Sequence, residues 1–68
     1  MKAVSGKRFC SILESGGWEL KRINGSHHIY IKNGNTARIS VPVHGNTPLK
    51  TGLQKYLMKL AGIEESEL

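Results

Sequence analysis

WELKRINGSHHIYIKNGNTARISVPV, residues 18–43, is the stretch that decides the fold. Apolar residues recur there at nearly every second position, the repeat of a half-buried strand rather than of a helix. Asn-Gly interrupts the repeat twice, at Asn24-Gly25 and at Asn33-Gly34. Both residue types tolerate the positive φ of tight hairpin turns. The stretch therefore reads as three strands, WELKRI, HHIYI and TARISVPV, joined as two hairpins.

The apolar pattern also predicts a register. With Asn24-Gly25 as a two-residue loop, Ile23 opposes Ser26, Arg22 opposes His27, Leu20 opposes Ile29 and Trp18 opposes Ile31. The second loop then needs an odd length, Asn33-Gly34-Asn35, which sets Ile31 against Ala37, Ile29 against Ile39 and His27 against Val41. One face is expected to carry Trp18, Leu20, Ile29, Ile31, Ala37, Ile39 and Val41. The other carries Glu19, Lys21, His28, Tyr30, Lys32, Arg38 and Ser40. On this register His27 sits at the rim of the apolar face beside Arg22, and His28 points the opposite way.

Helical spacing flanks the strands. Ser5 is placed to cap a helix in which Phe9, Ile12 and Leu13 share a face, with Val4 packing on Phe9 and Gly16-Gly17 ending it. Cys10 lies beside that stripe and reads as a small core or near-core side chain. After the sheet, Thr47 is expected to cap a second helix with Pro48 at its first position. Leu49, Leu53, Tyr56, Leu57 and Leu60 form its stripe, and Gly62 stops it. The order is α-β-β-β-α, with no repeat or linker. A two-layer α+β domain follows, with both helices covering the apolar face of a three-stranded antiparallel sheet. Residues 1–68 are taken as one domain. The acidic tail, residues 64–68, is expected to be frayed or to cap a short turn of its own.

A 68-residue chain has little room for an internal cavity or a large cofactor, so function belongs at the surface or a rim. No apolar run approaches the ~20 residues that span a bilayer. The single cysteine cannot form an internal disulfide and fits a reducing cytoplasm. Ten Lys and Arg face five Glu, with no Asp. Three of those Glu lie in the last five residues, so residues 1–63 carry ten positive and two negative charges. A body this basic attracts polyanions, of which RNA and DNA are the usual ones.

The carboxylate shortage narrows the chemistry. Metal-dependent phosphodiester cleavage uses carboxylates to hold Mg²⁺, and the body offers only Glu14 and Glu19, on different elements. A Ser-His-Asp triad lacks its Asp. Zinc would need Cys10 and three histidines to converge from a helix, a strand and a loop, at spacings that match no zinc pattern. No metal or cofactor is therefore expected. Metal-free RNA cleavage asks only for a group titrating near neutrality to take the ribose 2′-OH proton, and for cations to stabilise charge growing on the phosphate. His27 beside Arg22 supplies both. On spacing alone, a buried histidine satisfied by one hydrogen bond explains His27 equally well, and His44 in the loop HGN reads as a turn residue.

The stretches SGK at 5–7, GW at 17–18, Arg22, GSH at 25–27, PVHGN at 42–46 and TGLQKYLMKLAGI at 51–63 resemble, in this order, the HicA toxins of HicAB toxin–antitoxin modules. The resemblance covers nearly the whole chain. It implies a fold like that of double-stranded-RNA-binding domains, and a cytoplasmic ribonuclease that cleaves mRNA and so inhibits translation and growth. It implies that the catalytic histidine is the one in GSH, His27. It also implies that a HicB-like antitoxin covers the active surface. Arg22, Ser26 and His44 are expected to assist. Lys7, Arg8, Lys21, Lys50 and Lys55 are the candidate phosphate contacts. The free toxin is expected to be a monomer away from membranes. Two other classes stay open: a non-catalytic RNA-binding module, and a basic protein-interaction module for an acidic partner.

Overall fold

A computed structural model describes all 68 residues, Met1 to Leu68. The first helix, α1, spans Gly6–Ser15. Ser5 caps it as expected: its hydroxyl accepts the Arg8 N–H at 3.0 Å. Phe9, Cys10, Ile12 and Leu13 are buried on its inner face. Gly16 closes the helix by donating its N–H to the carbonyls of Ile12 and Leu13.

Three strands follow, β1 (Glu19–Asn24), β2 (His27–Lys32) and β3 (Asn35–Pro42), in one antiparallel sheet of order β1-β2-β3. The second helix, α2, spans Thr51–Ala61 and ends at Gly62, whose φ of 70° is the left-handed stop expected of it. Trp18, Tyr30, Ile39 and Val41 from the sheet side meet Phe9 and Leu13 of α1 and Leu57 and Met58 of α2 in one apolar cluster. Both helices thus lie on one face of the sheet and leave the other open. The α+β two-layer expectation holds.

The strand register differs from expectation in a consequential way. The first loop is Gly25-Ser26, because Asn24 pairs with His27. The remaining β1–β2 partners are Ile23–His28, Arg22–Ile29, Leu20–Tyr30 and Glu19–Ile31. Residues paired across an antiparallel ladder point the same way. Tyr30 and His28 therefore face the helices, with Ile39 and Val41 as their β3 partners. Ile29, Ile31 and His27 face the open side. The cause lies in β1. Trp18, Leu20 and Ile23 are spaced by two and then three, and a bulge between Leu20 and Arg22 absorbs the odd step at Lys21. All three then lie on the helix side of the sheet, Trp18 buried and Leu20 and Ile23 largely exposed at its edge. In β2 the larger Tyr30 takes the buried place, 1% exposed, and its hydroxyl donates to Glu14 of α1. The second loop is Asn33-Gly34, with Lys32 paired to Asn35 and a further irregularity between Tyr30 and Lys32. That irregularity shifts the register by two, so Ala37, Ile39 and Val41 keep the inward face assigned to them.

The start of α2 also needs correction. Thr47 and Pro48 lie outside the helix, and Lys50 is its N-cap, without a side-chain cap bond. Extended pairing holds this segment instead. Ser5 bridges Pro48, and the Leu49 N–H donates to the Val4 carbonyl at 2.8 Å. The buried face of α2 is rotated from the expected stripe, with Tyr56 60% exposed and Gln54 fully buried. Gln54 is satisfied at both ends of its amide. Its Oε1 accepts the Val4 N–H at 3.1 Å and its Nε2 donates to the Lys2 carbonyl at 2.6 Å. At the C-terminus Glu65–Glu67 form one 3₁₀ turn closed by a capping box between Glu64 and Glu67, and Leu68 packs on the core.

Candidate functional site

The open face of the sheet is ordered by the pairing. One row across the strands is Asn24, His27 and Pro42, and the next is Arg22, Ile29 and Ser40. His27 is exposed, and its Nδ1 lies 3.1 Å from the Ser40 hydroxyl. Arg22 stands on the same face, diagonal to His27 on the other side. The expected juxtaposition of histidine and arginine is therefore present, although Arg22 pairs with Ile29 rather than with His27. His27 is not tucked against the helix-covered face. His28 is, half-buried between Ile23 and Val41. Arg38, next to the buried Ile39, adds a second guanidinium to the open face.

A hydroxyl is an adaptable partner for an imidazole nitrogen. Ser40 can donate to a bare Nδ1 or accept from Nδ1–H, so the ring keeps its partner in either tautomer. With Nδ1 engaged, Nε2 is the ring nitrogen without a hydrogen-bond partner in the protein. Ser40 was placed by sequence on the face opposite His27, and only the inverted parity of β2 brings the two together.

The short motifs converge on the same end of the sheet. The Val43 N–H donates to the Ser26 carbonyl at 2.8 Å, which ties the turn of GSH to the start of VHGN. Gly6 of SGK lies against the carbonyl of Pro42, where any Cβ would collide with backbone. Beyond Pro42, His44, Thr47, Pro48, Lys50 and Leu53 border an open groove of about 340 Å³. The other candidate contacts spread further. Lys21 occupies the β1 bulge, Lys7 and Arg8 start α1, and Lys55 is exposed on α2. Arg8 borders a separate hollow with Ile12, Ser15, Gly16 and Glu67. These helix residues do not share a face with His27.

The charge imbalance is not neutralised internally. The only ion pair joins the N-terminal ammonium to Glu65, at 3.5 Å. None of the ten Lys and Arg side chains has a carboxylate partner. Glu14 is taken up by the Tyr30 hydroxyl. Burial, and then that hydrogen bond, push the Tyr30 phenol well above its usual range, while burial chiefly raises the Cys10 thiol. Both groups belong to the core under α1, away from the open face. No helix is long and apolar enough to cross a membrane.

The family model described as the HicA toxin of bacterial toxin–antitoxin pairs matches residues 6–63. The chain belongs to the HicA toxin family. It is thus the toxin of a toxin–antitoxin pair, and the family implies an antitoxin as its partner. The match runs from the glycine that backs Pro42 to Ile63, just past the end of α2, and so includes every element of the HicA-type sheet and both helices. No curated protein matches the chain.

Proposed function

We propose that this HicA family member is a metal-independent endoribonuclease that cleaves mRNA, with His27 as general acid–base. One observation carries the proposal: His27 stands exposed on the open face of the sheet, bonded to Ser40 and with Arg22 on the same face, on a body whose Lys and Arg side chains have no carboxylate partners. RNA lies on that face with a phosphate between His27 and Arg22. Nε2 of His27 takes the proton of the ribose 2′-OH, and the 2′-oxygen attacks phosphorus. The bond to the 5′-oxygen breaks, and that oxygen takes a proton from water. A 2′,3′-cyclic phosphate and a 5′-hydroxyl result. Arg22 stabilises the charge gathering on the phosphoryl oxygens. Ser40 is a positioning residue. Ser26 contributes through its carbonyl, which anchors Val43.

The α-β-β-β-α order supports the likeness to double-stranded-RNA-binding domains. Glu14 and Glu19, on separate elements, are poor material for a Mg²⁺ site, which motivates the metal-free mechanism. The antitoxin neutralises the toxin by occlusion, laying an acidic surface over His27.

RNA and DNA of one sequence, incubated with the toxin in EDTA, test the proposal. RNA should be cut and DNA spared. His27→Ala should lose about 10² to 10⁴ in rate while still folding and binding RNA. His28→Ala should keep most of its activity, because His28 faces the helix layer. Cleavage by a folded His27→Ala protein, or an absolute need for Mg²⁺, would overturn it.

A further inference from the structure

The groove beyond Pro42 is not used by the mechanism above. Its frame is backbone: Val43 N–H to Ser26, Thr47 N–H to the His44 carbonyl at 3.0 Å, and Leu49 N–H to Val4. Gly45 supplies the positive φ, 56°, that turns the loop. The side chains of His44, Thr47 and Lys50 make no hydrogen bond or ion pair within the protein, and all three are exposed. A loop that holds itself by backbone alone does not need its imidazole for structure. The walls are apolar, Pro42, Pro48 and Leu53, and the polar groups converge from the rim.

Volume limits the occupant. At about 340 Å³ the groove is near the lower end of ligand pockets, which run from roughly 300 to 1,000 Å³. It has room for one planar ring and its sugar, not for a duplex. Position limits it further. Pro42 lines the groove and is also the ladder partner of His27, so the groove borders the edge strand β3 at the residue paired with His27. A strand whose phosphate rests at His27 passes over this edge. Lys50 offers the one cation there, at the start of α2.

We propose that this groove is a base subsite for single-stranded RNA. It takes the nucleobase next to the scissile phosphate, stacked on the proline walls, with the His44 imidazole at the base edge and the Lys50 ammonium on the flanking phosphate. This rests on the ribonuclease reading above and adds to it a place where cleavage-site preference is set. Bases unstacked from single strands are read by a flat stacking surface, most often an aromatic ring, and an edge contact; here proline rings take the place of the aromatic surface. His44 is then a specificity residue rather than a part of the acid–base step.

The four nucleoside 5′-monophosphates, titrated into the wild-type protein and followed by nuclear magnetic resonance, test the site without any variant. Saturable shifts should centre on Thr47, Lys50 and Leu53, with one base bound several-fold tighter than the rest. Thr47→Trp, which fills the groove from an exposed position, should abolish them. Mapping of RNA cut sites gives the second arm. His44→Ala should raise KM about tenfold, change kcat less, and flatten the base preference beside the cut. Wild-type protein that cleaves RNA while no nucleotide shifts the groove signals, and while His44→Ala keeps the cut pattern, would overturn the subsite and leave the ribonuclease reading standing. Nucleotides that bind the groove of a protein unable to cleave RNA would do the reverse. Shifts confined to the open sheet face would also overturn the subsite.

Discussion

His27 Nδ1 and Ser40 Oγ lie 3.1 Å apart across the β2–β3 pair, joining the GSH turn to a strand residue thirteen positions later. A neutral hydrogen bond of this kind is worth about 1 kcal/mol, or about fivefold in rate if it acts only on the reacting ring. Ser40→Ala should therefore lower kcat about fivefold and shift its pH profile, with RNA affinity unchanged. Ser40→Thr, which keeps the hydroxyl, should restore most of both. Equal losses in Ser40→Ala and Ser40→Thr would show that the residue acts by packing and not by its hydrogen bond. Single-turnover kinetics against pH make the measurement.

Gly6 touches the carbonyl of Pro42 with no room for a methyl group. Gly6→Ala must push the start of α1 off the end of β3, and overpacking of this kind costs about 1–3 kcal/mol. A urea melt should show that loss with little change in slope. Cleavage measured well below the new midpoint should also fall, because Pro42 is the ladder partner of His27. A neutral Gly6→Ala melt would mean that the contact relaxes freely.

Alkaline pH should weaken the fold through the core beneath α1. Tyr30 and Cys10 have folded-state pKa values above their ordinary values of 10.0 and 9.0, chiefly from burial. A raised pKa means that the folded state holds its proton more tightly than the unfolded one. The resulting stability is complete below those ordinary values and is lost as pH climbs through and beyond them. Melting temperature should thus hold steady near neutrality and fall from about pH 9 upward. Tyr30→Phe should start from lower stability, lacking the bond to Glu14, and decline less steeply. Parallel curves for the two proteins would contradict the assignment.

Salt dependence tests which cations meet RNA. Each neutralised phosphate should contribute about −0.7 to the slope of log affinity against log salt on single strands, so Arg22, Arg38 and Lys50 together predict a slope near −2. Arg38→Ala should reduce that slope by about 0.7, and Lys55→Ala, in the helix layer, should leave it unchanged. A flat response of the wild type would assign the basic balance to the antitoxin or to solubility.

Much of this molecule was legible in its sequence, and the losses share one cause. Element order, the Ser5 cap, the Gly62 stop and the inward set of β3 are local signals, written in single residues or a period of two. Register depends on how two segments compete for one core. HHIYI offers Ile29 and Ile31 on one side and Tyr30 on the other, so alternation alone could not choose. Tyr30 takes the core because its ring fills the space beneath α1 and its hydroxyl finds Glu14, a partner sixteen residues away. The three-residue step from Leu20 to Ile23 was a readable sign of the bulge. The shared face of His27 and Arg22 survives the inversion, because the two stay on one side under either register. The Ser40 contact was not legible, because it exists only under the observed one. The late start of α2 was hidden for the same kind of reason: Ser5 and Val4, far upstream, hold residues 48 and 49 extended.

The bulge at Lys21 has an effect on neighbouring molecules as well. β1 is an edge strand, and it shows Leu20 and Ile23, 44% and 56% exposed, at its free border. A flat strand of that kind is a template on which a second chain could polymerise. The extra residue breaks the even row of amides and carbonyls, twists the border, and sets a lysine between the two apolar side chains. The same insertion that keeps Trp18 and Leu20 on the inner side therefore disfavours strand-on-strand growth along this border, one of the two edges of the sheet.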